Sequence, residues 1–221
     1  MTSLITRATL RLLLLWLWAY GALCGAEPSG ATGTAASPGR IVVLGDSITA
    51  GYGLDPAQAY PARLQAKIDA AKLPYVVANA GVSGDTTAGG LRRVDWALGS
   101  GARVLIIALG GNDGLRGIAP AQTAQNLTGI IQRARAKSPG IVILLAGMRM
   151  PENLGADYVA RFQAIFPQVA AEQKVELIPY LLAGVGGIAE LNQADQIHPN
   201  AEGQKRVAEN VWVHLQRVLP P

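Results

Sequence analysis

The sequence predicts a single α/β domain of three layers, α/β/α, built on a mostly parallel sheet of five strands. Two observations lead to this prediction. Five short apolar segments lie between Gly, Pro or Asn residues, as buried strands do. Amphipathic segments with helical spacing separate them, and single helices between successive strands are the crossovers that parallel pairing requires.

The predicted strands occupy residues 41–44, 75–80, 104–109, 141–146 and, from a weaker pattern, 175–178. Helical spacing predicts helices at 60–71, 87–98, 121–137 and 158–173, and a further helix at 201–218 that Pro199 opens. Alternation of this kind is typical of a flavodoxin-like, doubly wound sheet. Such sheets bind their ligands at the carboxyl ends of the strands.

Residues 1–26 have the pattern of a secretory signal peptide. Arg7 and Arg11 precede the apolar stretch 12–20, and small residues lead to a cleavage position near Ala26. An uncleaved membrane anchor is the alternative, although the stretch is shorter than the ~20 residues that cross a bilayer. We therefore expect an exported protein, periplasmic or secreted, without a stable membrane span after cleavage.

The residues that follow the signal divide into a leader and a domain. Residues 27–39 are small, polar and proline-bearing, which favours a flexible leader, and the domain occupies 40–221. The single cysteine, Cys24, lies in the signal, so the mature chain forms no disulfide. Removing Arg7 and Arg11 from 19 basic residues leaves 17, against 15 acidic residues. This nearly balanced, scattered charge indicates no nucleic-acid partner, and we expect a monomer.

Two motifs far apart in the chain supply the parts of a nucleophilic relay. Ser47 lies in Gly45-Asp46-Ser47-Ile48, which directly follows the first predicted strand, and Asp195 and His198 lie three residues apart before the final helix. Each has a simpler reading, because Asp-Ser before a helix is commonly a cap and His198 stands in a loop. The only other histidine, His214, lies within the final helix, where a packing role is expected.

Three of the predicted strands end in loops of small residues, at 45–47, 79–86 and 110–114. Parallel strands bring these loops to one edge of the sheet. Backbone N–H groups and the Asn112 carboxamide can converge there on one point, which is how an oxyanion site is built. Asp46 is expected to brace its loop by accepting N–H bonds rather than to act in catalysis.

The chain resembles the SGNH (GDSL) hydrolases over residues 40–219. Four blocks match the family in order and placement: Gly45-Asp46-Ser47, Gly81, Gly110-Gly111-Asn112-Asp113, and Asp195-x-x-His198. Within the family it is similar to exported bacterial acyl-hydrolases of the arylesterase and thioesterase/protease/lysophospholipase type. Gln196 stands where relatives commonly carry glycine, a departure that concerns turn geometry.

The resemblance implies a role for each matching residue. Ser47 would be the nucleophile, His198 its general base, and Asp195 the group that orients the imidazole. The oxyanion would accept hydrogen bonds from the amides of Ser47 and Gly81 and from Asn112. The implied reaction is the hydrolysis of acyl esters and thioesters, among them aryl esters and lysophospholipids, through an acyl-enzyme.

Other chemistries fit the sequence less well. Residues 110–114 lack the order of a phosphate-binding loop, and Gly81-Val82-Ser83-Gly84 places its second glycine one residue early for the Gly-x-Ser-x-Gly elbow. Two histidines and no mature cysteine leave too few metal ligands. We therefore expect no cofactor and no metal. Two alternatives stay open: a carbohydrate O-deacetylase of the same superfamily, and a non-catalytic exported binding protein.

The loop after the fourth predicted strand is the candidate substrate-binding segment. Met148, Met150 and Leu154 suit an acyl chain, and Arg149 suits a phosphate or carboxylate on the substrate. Packing of the methionines beneath the loop is the alternative. A small-molecule acyl ester or thioester is the expected partner.

Overall fold

A computed structural model describes residues 38–219 and confirms the predicted α/β/α architecture. The predicted signal peptide (1–26) and nearly all of the predicted leader (27–39) lie outside these residues. Within the described range, no helix is both long enough and apolar enough to cross a lipid bilayer.

The sheet has five strands in the order β2-β1-β3-β4-β5, and every neighbouring pair is parallel. The strands are β1 (Gly39–Gly45), β2 (Tyr75–Gly81), β3 (Val104–Ala108), β4 (Val142–Ala146) and β5 (Glu176–Ile178). In this register Gly45 lies beside Gly81 on one side and Ala108 on the other. The carboxyl ends of β2, β1 and β3 therefore reach the edge of the sheet together.

Helices cover both faces of the sheet. They are α1 (Ser47–Ala50), α2 (Tyr60–Ala70), α3 (Thr87–Leu98), α4 (Gly111–Leu115), α5 (Pro120–Lys137), α6 (Ala156–Gln173) and α7 (Ala201–Val218). Helices α3, α5 and α6 pack in succession to form one layer, and α2 packs with α7. Layers on both faces explain why β1 and β3 are continuous apolar runs: residues 41–44 and 105–108 are fully buried.

The short helices α1 and α4 were not predicted from the sequence. Each has at most five residues, too few to show an apolar periodicity. They start within three residues of the ends of β1 and β3, at the edge of the sheet. Ser47 is the first residue of α1 and Asn112 is the second residue of α4.

Helix α7 is joined to the beginning of the domain by Gln204, whose side chain is almost completely buried. The Gln204 carboxamide accepts a hydrogen bond from the Tyr60 amide at 2.8 Å and donates one to the Ile48 carbonyl at 3.0 Å. A buried amide that makes both kinds of hydrogen bond fixes one segment against another. The loop that precedes α7 is thereby held next to α1.

Candidate active site

Ser47, His198 and Asp195 form a continuous hydrogen-bonded chain at the carboxyl edge of the sheet. His198 Nε2 lies 2.9 Å from Ser47 Oγ, and His198 Nδ1 lies 2.7 Å from Asp195 Oδ2. The His198 side chain is 18 % exposed, so a small molecule can reach it from solvent. This geometry can transfer a proton from the hydroxyl to the imidazole.

Local geometry around Asp46 places Ser47 at the start of α1. Asp46 is the N-cap of that helix, and its Oδ1 accepts the Ile48 amide at 3.0 Å. The carboxyl is 2 % exposed, and this burial raises its pKa to about 6 despite the Ile48 hydrogen bond. Asp46 makes the bracing contact expected of it, and Asp195 is the carboxylate that contacts the imidazole.

Asp195 is held in place by the backbone of its own loop. Its Oδ1 accepts the amides of Ile197 at 2.9 Å and His198 at 3.0 Å. The hydrogen bond from the His198 amide, followed by those from the His198 ring and the Ile197 amide, lowers the pKa of Asp195 to about 2. The carboxylate is therefore ionised at any ordinary working pH.

Gln193 and Tyr52 hold the loop of His198 against the segment after α1. The Gln193 side chain donates to the Tyr52 carbonyl at 2.7 Å, and the Gln193 amide donates to the His198 carbonyl at 2.8 Å. The Tyr52 ring lies 4.7 Å from the imidazole, centroid to centroid. Sequence analysis did not give Tyr52 a role. The feature that could have singled it out is its position, five residues after Ser47.

Three N–H groups, on residues that follow β1, β2 and β3, are free to donate to an oxyanion. The Asn112 side chain donates one N–H to the Asp85 carbonyl at 2.9 Å, which leaves its second N–H available. Within residues 38–219, neither the Ser47 amide nor the Gly84 amide has a hydrogen-bond acceptor. Gly84 directly precedes Asp85, so its amide lies beside the residue that holds Asn112.

The structure contradicts the predicted donor Gly81. The Gly81 amide already donates to Asn79 Oδ1 at 2.9 Å, and Asn79 in turn donates to the Thr49 carbonyl at 2.9 Å. A Cβ atom at residue 81 would overlap the backbone of Ala50. Gly81 is therefore glycine because α1 packs against it, and sequence analysis did not single out Gly84, whose amide is without an acceptor among residues 38–219.

The structure also corrects the assignment of two methionines to the substrate site. Met148 is 4 % exposed and Met150 is 8 % exposed, and both belong to the hydrophobic core. Met150 fills the space beside Gly114, which has no side chain. Both residues pack beneath the loop, the alternative considered from the sequence. Leu154 is 37 % exposed, and its contact with substrate stays a prediction.

Arg149 is not part of the hydrogen-bonded relay. Its guanidinium is stacked over the Tyr180 ring at 4.8 Å, and it lines a pocket of about 480 Å³ that contains none of the three relay residues. His214 lines the same pocket and pairs with Glu176 Oε1 at 2.9 Å, a structural role of the kind expected for it. Contact of Arg149 with a substrate anion stays a prediction.

In the part of the chain that the structure describes, no three His, Cys, Asp or Glu side chains form a group suited to a metal ion. The chemistry available at the edge of the sheet is that of an activated serine. A parallel α/β sheet with a serine, a histidine and an aspartate in hydrogen-bond contact is the arrangement of a serine hydrolase.

Comparisons with known proteins place the chain more closely. Residues 43–206 match the GDSL-like lipase/acylhydrolase family. The chain is 46 % identical to esterase TesA of Pseudomonas aeruginosa over 180 residues, which cover 81 % of this chain and 89 % of the relative. It is 38 % identical to thioesterase 1/protease 1/lysophospholipase L1 of Escherichia coli over 186 residues, or 84 % and 87 % of the two chains. It is 35 % identical to an arylesterase of Vibrio mimicus over 181 residues, or 81 % and 90 %.

Solved structures agree with this placement. The crystal structure of TesA superposes with a TM-score of 0.77 at 45 % identity, covering 81 % of this chain and 99 % of that one. The psychrotrophic esterase EstA from Pseudoalteromonas, inhibited by monoethylphosphonate, gives 0.76 at 30 % identity over 81 % and 97 %. The chain belongs to the GDSL-like lipase/acylhydrolase family, and it is a carboxylic ester hydrolase.

Proposed function

We propose that this chain is an exported serine esterase in which Ser47, His198 and Asp195 cleave acyl esters and thioesters through an acyl-enzyme. The observation that carries the proposal is the unbroken chain of hydrogen bonds from Ser47 Oγ through the imidazole to Asp195, with contacts of 2.9 Å and 2.7 Å. A purely binding protein has no need of such a chain.

The mechanism follows from the positions of these atoms. Ser47 Oγ attacks the acyl carbonyl while His198 Nε2 accepts the hydroxyl proton, and Asp195 stabilises the imidazolium that forms. The tetrahedral oxyanion accepts hydrogen bonds from the amides of Ser47 and Gly84 and from Asn112. His198 then gives the proton to the departing alcohol or thiol. Water hydrolyses the acyl-enzyme by the same steps, and Ser47 recovers its proton.

Exposed apolar side chains on the segments that carry the site support an apolar acyl substrate. Val82 is 47 % exposed, Leu115 46 % and Ile197 49 %, and Tyr52 beside the imidazole is 53 % exposed. Val82 precedes Gly84 by two residues and Ile197 precedes His198. We propose that these residues, rather than the buried methionines, contact the acyl chain of aryl esters, acyl thioesters and lysophospholipids.

The sequence of residues 1–26 supports export, because a charged start, an apolar stretch and a small-residue cleavage position are what a signal peptidase recognises. We propose that cleavage near Ala26 and the leader 27–39 release the domain 40–221 as a monomer into the periplasm or the medium. Mass spectrometry of the N-terminus of the exported protein tests the cleavage position.

Covalent labelling with a fluorophosphonate tests the catalytic proposal. The probe is expected to add one phosphonyl group to Ser47 in the wild type and none in Ser47→Ala, as measured by intact mass. Ser83→Ala is the matched control, because Ser83 lies in the exposed loop that holds Gly84, and it should label fully. Labelling that survives Ser47→Ala would show that another residue is the nucleophile.

Substrate comparison tests the acyl specificity. The expected order of kcat/KM is p-nitrophenyl butyrate and a long-chain acyl thioester above an acetylated polysaccharide. Preferential release of acetate from the polysaccharide would contradict the proposal and favour the O-deacetylase alternative.

A further inference from the structure

Arg93 of α3 connects three segments that end at the catalytic edge. Its Nε donates to Asp85 Oδ2 at 2.7 Å, its Nη1 to the Ala80 carbonyl at 2.7 Å and its Nη2 to the Gly45 carbonyl at 2.9 Å. Ala80 is near the end of β2, and Gly45 is the last residue of β1, two positions before Ser47. One guanidinium thus contacts the nucleophile's strand, the neighbouring strand and the loop after it.

Asp85 extends this contact to the oxyanion donors. Its side chain binds Arg93, and its backbone carbonyl accepts the Asn112 carboxamide at 2.9 Å. The residue just before it, Gly84, carries a free amide N–H. A shift of Asp85 would therefore move both donors, while Ser47, which follows the strand end at Gly45, would stay where β1 places it.

The surroundings of the Arg93–Asp85 ion pair restrict it to one geometry. The side chains of Arg93 and Asp85 are 17 % and 11 % exposed, so water replaces these contacts poorly. Gly89 of α3 has no side chain, and a Cβ atom there would overlap the Asp85 carboxylate. The three contacts use three separate N–H directions of a planar guanidinium, which the single ammonium of lysine cannot reproduce.

We propose that Arg93 is a positioning residue of the esterase: through Asp85 it fixes the Gly84 amide and the Asn112 carboxamide relative to Ser47. The proposal rests on the function proposed above, because the position of these donors matters only if they bind an oxyanion. Arg93 itself contacts no reacting atom. Its loss is expected to weaken transition-state binding and to leave ground-state binding of the ester nearly unchanged.

The experiment compares Arg93→Ala and Arg93→Lys with Arg92→Ala and Arg92→Lys. Arg92 is the exposed neighbour on the same helix and provides the matched control. Rates are measured with p-nitrophenyl butyrate and divided by the number of sites that a fluorophosphonate titrates, so that unfolded molecules are not counted. We expect kcat of Arg93→Ala to fall about 10²-fold, the effect of misplacing catalytic groups by about 1 Å, with KM little changed and Arg92 variants like the wild type.

Two further readouts separate positioning from general stability. An alkylboronic acid, which forms a tetrahedral adduct with the serine, should bind Arg93→Ala more weakly by the same factor by which kcat/KM falls. Added guanidinium chloride should restore part of the activity of Arg93→Ala at concentrations where sodium chloride does not, and it should not restore Asn112→Ala.

Four other results would decide between the proposals. Wild-type kcat per titrated site in Arg93→Lys and Arg93→Ala would overturn the proposal. So would a fall in kcat without a loss of boronic acid affinity, because the donors would then be in place. If Arg93→Ala does not fold, Arg93→Lys provides the same comparison. A wild type that is folded but never labelled would overturn the proposed function, and with it this proposal, whereas normal labelling with unaffected Arg93 variants would overturn this proposal alone.

Discussion

Asp195 holds His198 with both oxygens of its carboxylate: Oδ2 lies 2.7 Å from the ring Nδ1, and Oδ1 accepts the His198 amide at 3.0 Å. One carboxylate therefore fixes the imidazole and the backbone that carries it. The Ile197 amide donates to Oδ1 as well. Two backbone amides therefore require an acceptor at the Oδ1 position, independently of the protonation state of the His198 ring.

Asp195→Asn is expected to lower kcat about 10⁴-fold, as loss of the correct imidazole tautomer does in serine hydrolases. The two backbone amides will hold the Asn oxygen on their side, so the Asn NH₂ will face Nδ1. Nδ1 must then be the acceptor and Nε2 will carry the proton, which leaves no base for Ser47. Steady-state kinetics measures the effect.

Asp55→Asn is the control for this substitution, because Asp55 is likewise an aspartate whose Oδ1 accepts a backbone amide two residues on. It should retain wild-type kcat. A fall of less than tenfold in Asp195→Asn would show that Asp195 does not set the tautomer.

Asn112→Ala is expected to lower kcat by about 10²–10³-fold with little change in KM, since its free N–H would meet charge that exists only in the transition state. Asn153→Ala, in the exposed loop after β4, should leave both constants unchanged. A rise in KM at constant kcat would place Asn112 in ground-state binding instead.

Asp46→Asn should change how the free energy of unfolding depends on pH. Burial raises the pKa of Asp46 to about 6 from its ordinary value of 3.8, so the folded protein binds this proton more tightly than the unfolded chain does. The stability contributed by Asp46 is therefore full below its unfolded pKa and is lost as pH rises through about 6. Asparagine keeps the acceptor for the Ile48 amide and does not titrate.

As the pH rises from about 4 to 8, the free energy of unfolding of Asp46→Asn is expected to increase relative to that of the wild type by roughly 3 kcal/mol. Urea unfolding at the two pH values measures the difference. Because the charges of His198 and Asp85 also act on Asp46, the comparison is repeated in the Ser47→Ala background, which retains both. A stability difference that does not change with pH would contradict the buried, titrating carboxyl.

Gln196→Gly should stabilise the protein. Gln196 has a φ of 59°, in the left-handed region, which costs a non-glycine residue about 1–2 kcal/mol. Glycine removes this cost and gives back roughly 0.5–1 kcal/mol of chain entropy. We expect the free energy of unfolding to rise by up to about 1 kcal/mol. Gln196→Ala, which keeps the strained φ and loses the side-chain contact to Gln193, should show no gain.

Much of the fold was predictable because long apolar strands and amphipathic helices carry a periodic signal. The short helices α1 and α4 have none, and their positions depend on how the chain turns at the ends of β1 and β3. Ser47, Asp195 and His198 could be singled out because each stands at a strand end or just before a helix, with a spacing that fits the chemistry.

The choice between Gly81 and Gly84 could not be made from the sequence. Both glycines lie within the predicted loop 79–86, and the difference arises because Gly81 ends β2, where the Asn79 side chain accepts the Gly81 amide. Met148 and Met150 posed a similar problem. Met150, for example, fills the gap beside Gly114, a residue more than thirty positions earlier in the chain.

The contacts of Gln204 bear on when the active site is assembled as the chain folds. Ser47 and His198 are 151 residues apart, and the buried Gln204 contacts join the helix that follows the base to the helix that carries the nucleophile. A chain still emerging from the ribosome or passing through a translocation channel can display Ser47 without any base to activate it. Esterase activity is therefore expected only after α7 has docked, in whichever compartment the chain completes its fold.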